Sequence, residues 1–257
     1  ILNDTDPSYI SQGNSELDSE KSHAFNLSYS NFTQKFNINL SARYSFTNNS
    51  IENVTKLMPD TEIEGLKNPT GKDVLYSTYA NIGKTRRASV SAYVNWNATP
   101  RTRIYMNMSG DYSYMEGSEG MRNDGWSLFA YGGAQQTLPH DWRISLNVFG
   151  QTPWIMLQGK GSSFFDYGLS VNKSFLNKRL TLSAFASNFF KKYMDQSSTT
   201  EGAGFIRESS YKYSRQRFGI SVSYRIGELK ASVKKAARTI SNDDVKSGGS
   251  GSGGGGE

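Results

Sequence analysis

The chain has 257 residues, enough for one sizeable domain, but only 36% are hydrophobic, the mean hydropathy is −0.60, and no run of about eighteen apolar residues exists to make a transmembrane helix. Cysteine is absent, which excludes disulfides, thiolate nucleophiles and cysteine-ligated metals. The net charge of +6 invites a nucleic-acid reading, yet the basic residues scatter along strands, turns and tail instead of forming one patch.

Residues 1–20 are polar and read as a loop leading into the first strand. From 23 to 30 apolar and polar residues alternate weakly. From 36 to 46 the alternation is clean: Phe36, Ile38, Leu40, Ala42, Tyr44 and Phe46 share one face, with Asn37, Asn39, Ser41, Arg43 and Ser45 opposite. A long polar connection, 49–72, follows. Residues 74–97 are expected to form one strand with an irregularity at 80–84, where Gly83 permits a bulge; the alternative makes 74–82 a separate strand. Ile104, Met106, Met108, Tyr112 and Tyr114 then alternate with Arg103, Asn107, Ser109, Asp111 and Ser113. Residues 126–138 alternate weakly. Trp142, Ile144, Leu146 and Val148 face away from Arg143, Ser145 and Asn147. Phe165, Tyr167, Leu169 and Val171 alternate with Asp166, Gly168, Ser170 and Asn172, and 180–190 follows weakly. Phe218, Ile220, Val222, Tyr224 and Ile226 close the series, with Arg225 among the residues opposite. Period two repeated this often is a β signature.

About nine strands result, each of roughly ten residues, about twice the usual globular length. At roughly 3.3 Å per residue and a tilt near 45°, ten residues cover about the 25 Å apolar band of an outer-membrane barrel. Short connections at 31–35, 97–101, 138–141 and 176–179 alternate with long ones at 49–72, 115–124, 151–163 and 191–215, as in a barrel of hairpins with short periplasmic turns and long outer loops. The apolar faces carry no acidic residue or arginine along their middles. Lys173 is the exception, near a short turn where it can snorkel. The opposite faces hold mostly Ser, Asn and Gly with occasional Arg, the composition of a wet lumen rather than of a solvated surface. Aromatics fall at both ends: Phe36, Trp96, Trp142 and Phe175 near short turns, Phe46, Tyr112, Tyr114, Phe165, Phe189 and Tyr193 near long loops. The fold expected is an all-β, antiparallel transmembrane β-barrel. Domain organisation is a loop at 1–20, barrel strands at 21–229, and a Gly/Ser-rich periplasmic tail at 230–257. An odd set of about nine strands cannot close as bacterial barrels do, so a larger barrel with partner strands elsewhere is expected. A soluble β-sandwich binding module is the alternative.

Two stretches resemble a known family. Tyr79-Ala80-Asn81-Ile82-Gly83-Lys84-Thr85 resembles the Tyr-x-Asn-(Ile/Val)-Gly-Lys stretch of the later barrel strands of TonB-dependent transporters. Gly13-Asn14-Ser15-Glu16-Leu17-Asp18-Ser19-Glu20 is similar to their Gly-Asn-Pro-x-Leu-x-Pro-Glu segment, without its two prolines. The tail after Ile226 resembles that of Bacteroidetes-type members of the outer membrane protein beta-barrel family. The resemblance implies a barrel of about 22 strands, of which these are roughly the last nine, around an N-terminal plug. It also implies import of nutrients too large or scarce for porins, driven through TonB, often beside a surface lipoprotein. Neither plug nor TonB-contacting segment lies in this sequence, so no coupling residue carries over. A non-transporting adhesin or scaffold barrel is the second functional reading.

Catalytic chemistry is not expected. His23 and His140 are the only histidines, and neither sits in a metal-spaced cluster; no cofactor is implied. Ligand contact is expected from the long loops: Trp154 and Met156 in one, Tyr193, Arg207 and Tyr211 in another. The plainer reading puts Trp154 in the outer aromatic girdle and lets the rest cap a neighbouring loop. Arg43, Arg103, Arg143 and Arg225 are expected on the lumen face, binding an anionic ligand or the plug, or simply pairing with charges inside the barrel.

Overall fold

Alternation becomes strand wherever the sequence carries it clearly. The structure, a computed structural model, describes residues 1–227, so the tail expected at 230–257 lies outside the described residues. In chain order the strands are β1 (Leu2–Asp6), β2 (Tyr9–Gln12), β3 (Lys21–Phe32), β4 (Phe36–Pro59), β5 (Asp73–Thr99), β6 (Thr102–Glu116), β7 (Arg122–Leu138), β8 (Trp142–Gln151), β9 (Ile155–Met156), β10 (Gly159–Lys160), β11 (Phe164–Phe175), β12 (Leu180–Ser187), β13 (Tyr193–Gly202), β14 (Phe205–Ser214) and β15 (Arg217–Tyr224). Nine of them, β3-β4-β5-β6-β7-β8-β11-β12-β15, form one antiparallel meander in which each pairs with its sequence neighbours. The sheet is open, with β3 and β15 at its ends among the described residues.

Register keeps the two faces apart across the whole meander. Leu146 lies between Ala134 and Leu169, and Ser145 between Gln135 and Ser170. A one-residue slip at any strand would exchange its faces, so the alternation and the pairing enforce each other. Lys173, the cation on the apolar face, reaches the His140 carbonyl in the β7–β8 turn and lies over the Trp142 ring at 5.4 Å.

Several segments read as loops are strand. β4 runs on to Pro59, and β5 begins at Asp73, so the connection expected at 49–72 shrinks to 60–72. β5 is continuous, with a register shift where Asn49 takes φ 59° and Ser50 faces Gly83. Gly83 is required there: a Cβ would meet the Glu52 side chain at 2.6 Å, where Glu52 Oε1 accepts from Ser50 and Thr85 hydroxyls at 2.7 and 3.2 Å. Within 1–20, β1 and β2 make a hairpin, and β2 joins β5 in parallel at Tyr9↔Leu75. Within 191–215, β13 and β14 form a hairpin of two ten-residue strands. Their apolar residues do not recur at every second position, so the pattern is silent in the sequence.

The buried apolar residues are few, and none lies in the middle of the wall. Ile10, Ile63 and Val74 form one cluster, and Met115, Ile155 and Leu157 another, both at the long-loop end. Along the wall the apolar face is open: Leu27 is 74% exposed, Val90 63% and Ile220 83%. A soluble sandwich would cover this face with a second sheet, gaining about 1.5–3 kcal/mol for each large apolar side chain buried. The second sheet here, in the order β14-β13-β10-β9, is built from the long connections instead.

The 60–72 connection is held by one carboxylate. Asp60 Oδ2 accepts from the Thr70 N–H and hydroxyl at 2.6 and 2.8 Å, and Oδ1 accepts from the Gly71 N–H at 2.8 Å. These bonds, the Thr70 N–H first, hold the Asp60 carboxyl below the ordinary carboxylate range. Its contribution is therefore present above pH about 4 and is lost as pH falls through the depressed value. Amide exchange at Thr70 and Gly71 should lose protection in acid, and Asp60→Ala should abolish that protection at neutral pH. Unchanged protection in the variant would refute the role.

Candidate functional site

The polar face of the wall is not uniformly polar. Period two places Tyr105 with Arg103 and Asn107, Phe129 and Tyr131 with Ser127 and Gly133, and Phe149 with Asn147. On β11, Phe164 falls beside Asp166 on the same face. The rings form a connected patch: Tyr105–Tyr131 at 5.8 Å between centroids, Phe129–Phe149 at 5.2 Å and Phe149–Phe164 at 4.6 Å. The patch lies toward the long-loop end, since Phe149 precedes the end of β8 by two residues.

Gly133 makes room for this arrangement. A Cβ at Gly133 would stand 2.6 Å from Tyr105 Oη, so only glycine lets the ring cross β7. Tyr105 then donates from Oη to Asn147 Oδ1 at 2.9 Å, which engages the amide oxygen and leaves the amide NH2 as the group's donor.

Beside the rings stands a fixed charge pair. Asp166 is ion-paired with Arg215 and also accepts from Asn188 Nδ2 at 2.9 Å. Asn188, buried and in a left-handed conformation at φ 49°, accepts from the Tyr167 N–H at 3.1 Å and so locks the end of β12 onto β11. The Arg215 guanidinium lies over the Phe164 and Tyr213 rings at 5.7 and 5.3 Å. Together Tyr131, Asn147, Phe149, Asp166, Arg215 and Arg217 line a cavity of about 340 Å³.

The loop residues singled out from the sequence lie elsewhere, Trp154 just before the outer sheet and the others within it. Trp154 packs across Gly161, whose N–H donates to the Trp154 carbonyl at 2.8 Å. Its neighbours Ile155 and Leu157 bury against Met115, while the Met156 carbonyl accepts from Asn123 Nδ2 at 2.7 Å. Pairing of β10 with β13 brings the two loops together and places Met156 and Arg207 in one row, through Gly159 and Thr200. Arg207 lies over the Tyr9 ring at 3.9 Å. Tyr193, with Lys192 over its ring at 5.3 Å, and Tyr211 are exposed at other rows of the hairpin.

The arginines are spread out. Arg43 shares a row with Ser89 and Asp111, and Arg103 donates from Nε to Asn95 Oδ1 at 2.7 Å. Arg143 lies opposite Thr137 and Asn172, near the short turns. Arg225 follows the end of β15 and is exposed. The structure gathers Arg215 and Arg217 at the cavity instead. Aromatics at the odd positions 105, 129, 131 and 149 were the readable sign of the patch; nothing in the local sequence marks the arginines that join it.

A profile of the Outer membrane protein beta-barrel family matches residues 1–224. No curated protein and no solved structure matches the chain.

Proposed function

Since this chain belongs to the outer membrane protein beta-barrel family, we propose that it forms the wall and outer loops of a TonB-dependent receptor that takes up a large or scarce nutrient. The family places it in the outer membrane, which answers the unpacked apolar face and sets the soluble sandwich aside. The long connections then face the cell exterior, and the short turns and the tail face the periplasm. The reading rests on one observation above others: a ligand-sized cavity of mixed aromatic and charged lining stands on the polar face at the long-loop end. A pore for small solutes has no need of such a site, whereas a receptor that must hold its ligand before importing it does.

Topology constrains the partners. In a meander of nine antiparallel strands, β3 and β15 run the same way. Joining them to each other, or to a second copy inserted alike, makes a parallel seam. An antiparallel barrel closes only with an odd number of further strands, and unpaired edges in hydrocarbon cost several kcal/mol for each exposed backbone group. We assign those strands, together with a plug that contacts TonB, to other parts of the receptor, and a surface lipoprotein to the outer sheet. The adhesin or scaffold reading uses the same outer sheet, where Ile206 and Tyr211 are exposed.

Cells offered a labelled oligosaccharide pool, an oligopeptide pool and an iron siderophore separately should accumulate one of them only when the protein is present and the inner membrane is energised. A protonophore, or loss of TonB, should stop accumulation and spare surface binding. Accumulation that survives de-energising, or surface binding with no accumulation of any probe, would overturn the receptor reading.

A further inference from the structure

We propose that the cavity on the polar face holds a ring compound through its carboxylate, with Arg217 as the anion's chief partner. The inference rests on the receptor reading only for the ligand's route in from outside. Three features of the lining point to this chemistry.

The first is charge. Arg215 and Arg217 face a single carboxylate, Asp166, so the cavity carries one positive charge in excess. Asp166 is committed to Arg215 and to Asn188, while Arg217 makes no ion pair among the described residues. A guanidinium presents a planar fork that matches a carboxylate and stays charged at every accessible pH. Register places Arg217 in the row of Ser187, Gly168 and Asn147, all of which line the cavity and carry small or amide side chains.

The second is the floor. The Tyr131 and Phe149 rings meet at 6.5 Å and 61°, and both line the cavity as apolar surface for a ring. Phe149 also packs against Phe129 and Phe164 at 5.2 and 4.6 Å, which holds the floor in place. Asn147 also lines the cavity, and with its oxygen engaged by Tyr105 its NH2 is the donor for a ring hydroxyl.

The third is size and rigidity. About 340 Å³ lies at the lower end of small-molecule sites, enough for one ring-sized unit and not for an extended chain. Arg215 is held between Asp166 and two aromatic rings, and Asn147 is held by the Tyr105 hydroxyl, so this part of the lining is arranged before a ligand arrives.

A ring carboxylate can belong to an acidic sugar or to an aromatic acid. The complete barrel, purified in detergent, is titrated with sodium glucuronate, sodium 4-hydroxybenzoate and glucose, following saturation-transfer NMR of each probe. At least one acid should bind at least about tenfold more tightly than glucose. Glucuronate alone identifies a saccharide source, and 4-hydroxybenzoate alone an aromatic one. Arg217→Met should weaken the acid about tenfold or more, Arg217→Lys less, and Lys178→Met, in the β11–β12 turn, not at all. Heat-dependent gel mobility verifies that each variant remains a folded barrel. Failure of both acids to bind, equal binding of glucose, or unchanged acid binding in folded Arg217→Met would overturn the proposal. Accumulation in energised cells is read separately. Cavity binding without uptake removes the receptor reading alone, and uptake that ignores Arg217→Met removes the cavity alone.

Discussion

Replacing Leu146 by arginine should destabilise the membrane-embedded protein by about 2–4 kcal/mol, whereas Ser145→Arg, one residue earlier, should cost less than about 1 kcal/mol. Leu146 is the fifth residue of the ten in β8, near the middle of the strand, and lies between Ala134 and Leu169 on the apolar face. A guanidinium there must sit in hydrocarbon or bend the strand toward an interface. Ser145 points to the other face, between Gln135 and Ser170, where water and amides receive the charge. Urea unfolding of the two variants in lipid vesicles measures the difference. Equal costs would mean that the two faces meet the same surroundings, and the membrane assignment of the apolar face would fall.

Gln158→Ala should loosen the outer loops by about 2–4 kcal/mol, because it leaves a buried N–H and a buried C=O without partners. The Gln158 side chain imitates a strand. Its Oε1 accepts from the Thr55 N–H at 2.7 Å and its Nε2 donates to the Thr55 carbonyl at 2.8 Å, at a residue that is only 4% exposed. Its backbone carbonyl accepts from the Glu201 N–H at 2.7 Å, so one residue links the β4–β5 extension to the β13–β14 hairpin. Hydrogen exchange at Thr55 and Glu201 is the measurement. Both amides should exchange faster in the alanine variant, and Gln158→Glu, which keeps an acceptor and loses the donor, should fall between. Full protection in Gln158→Ala would show that the loops are tied by other contacts.

The wall was legible because its signal is local and repeated. Each strand carries its own alternation, and Phe36, Trp96, Trp142 and Phe175 at the short-turn end and Tyr112 and Phe165 at the other place its limits. The β4 extension and the outer sheet were not, since the apolar residues of 50–59 and 193–214 do not recur at every second position. The loop candidates Met156, Tyr193, Arg207 and Tyr211 fell in this sheet and Trp154 just before it, and the pairing of β10 with β13 that unites the two loops crosses about forty residues of chain. The inner aromatic patch was half legible. Its rings stand at polar-face positions in plain sequence, but the Arg215 that joins Asp166 is forty-nine residues away, and Arg217 reaches the cavity only because β15 pairs with β12.

Alternation along the chain sets the nine strands of the wall, their two faces and the face that must meet hydrocarbon, because a pleated backbone converts every second residue into a surface wherever it lies. Tertiary structure alone decided which loops pair, that Gln158 stitches them at Thr55, and that two arginines, an amide and two rings meet at one cavity. Those features depend on contacts between residues far apart along the chain, and no local period encodes such a distance.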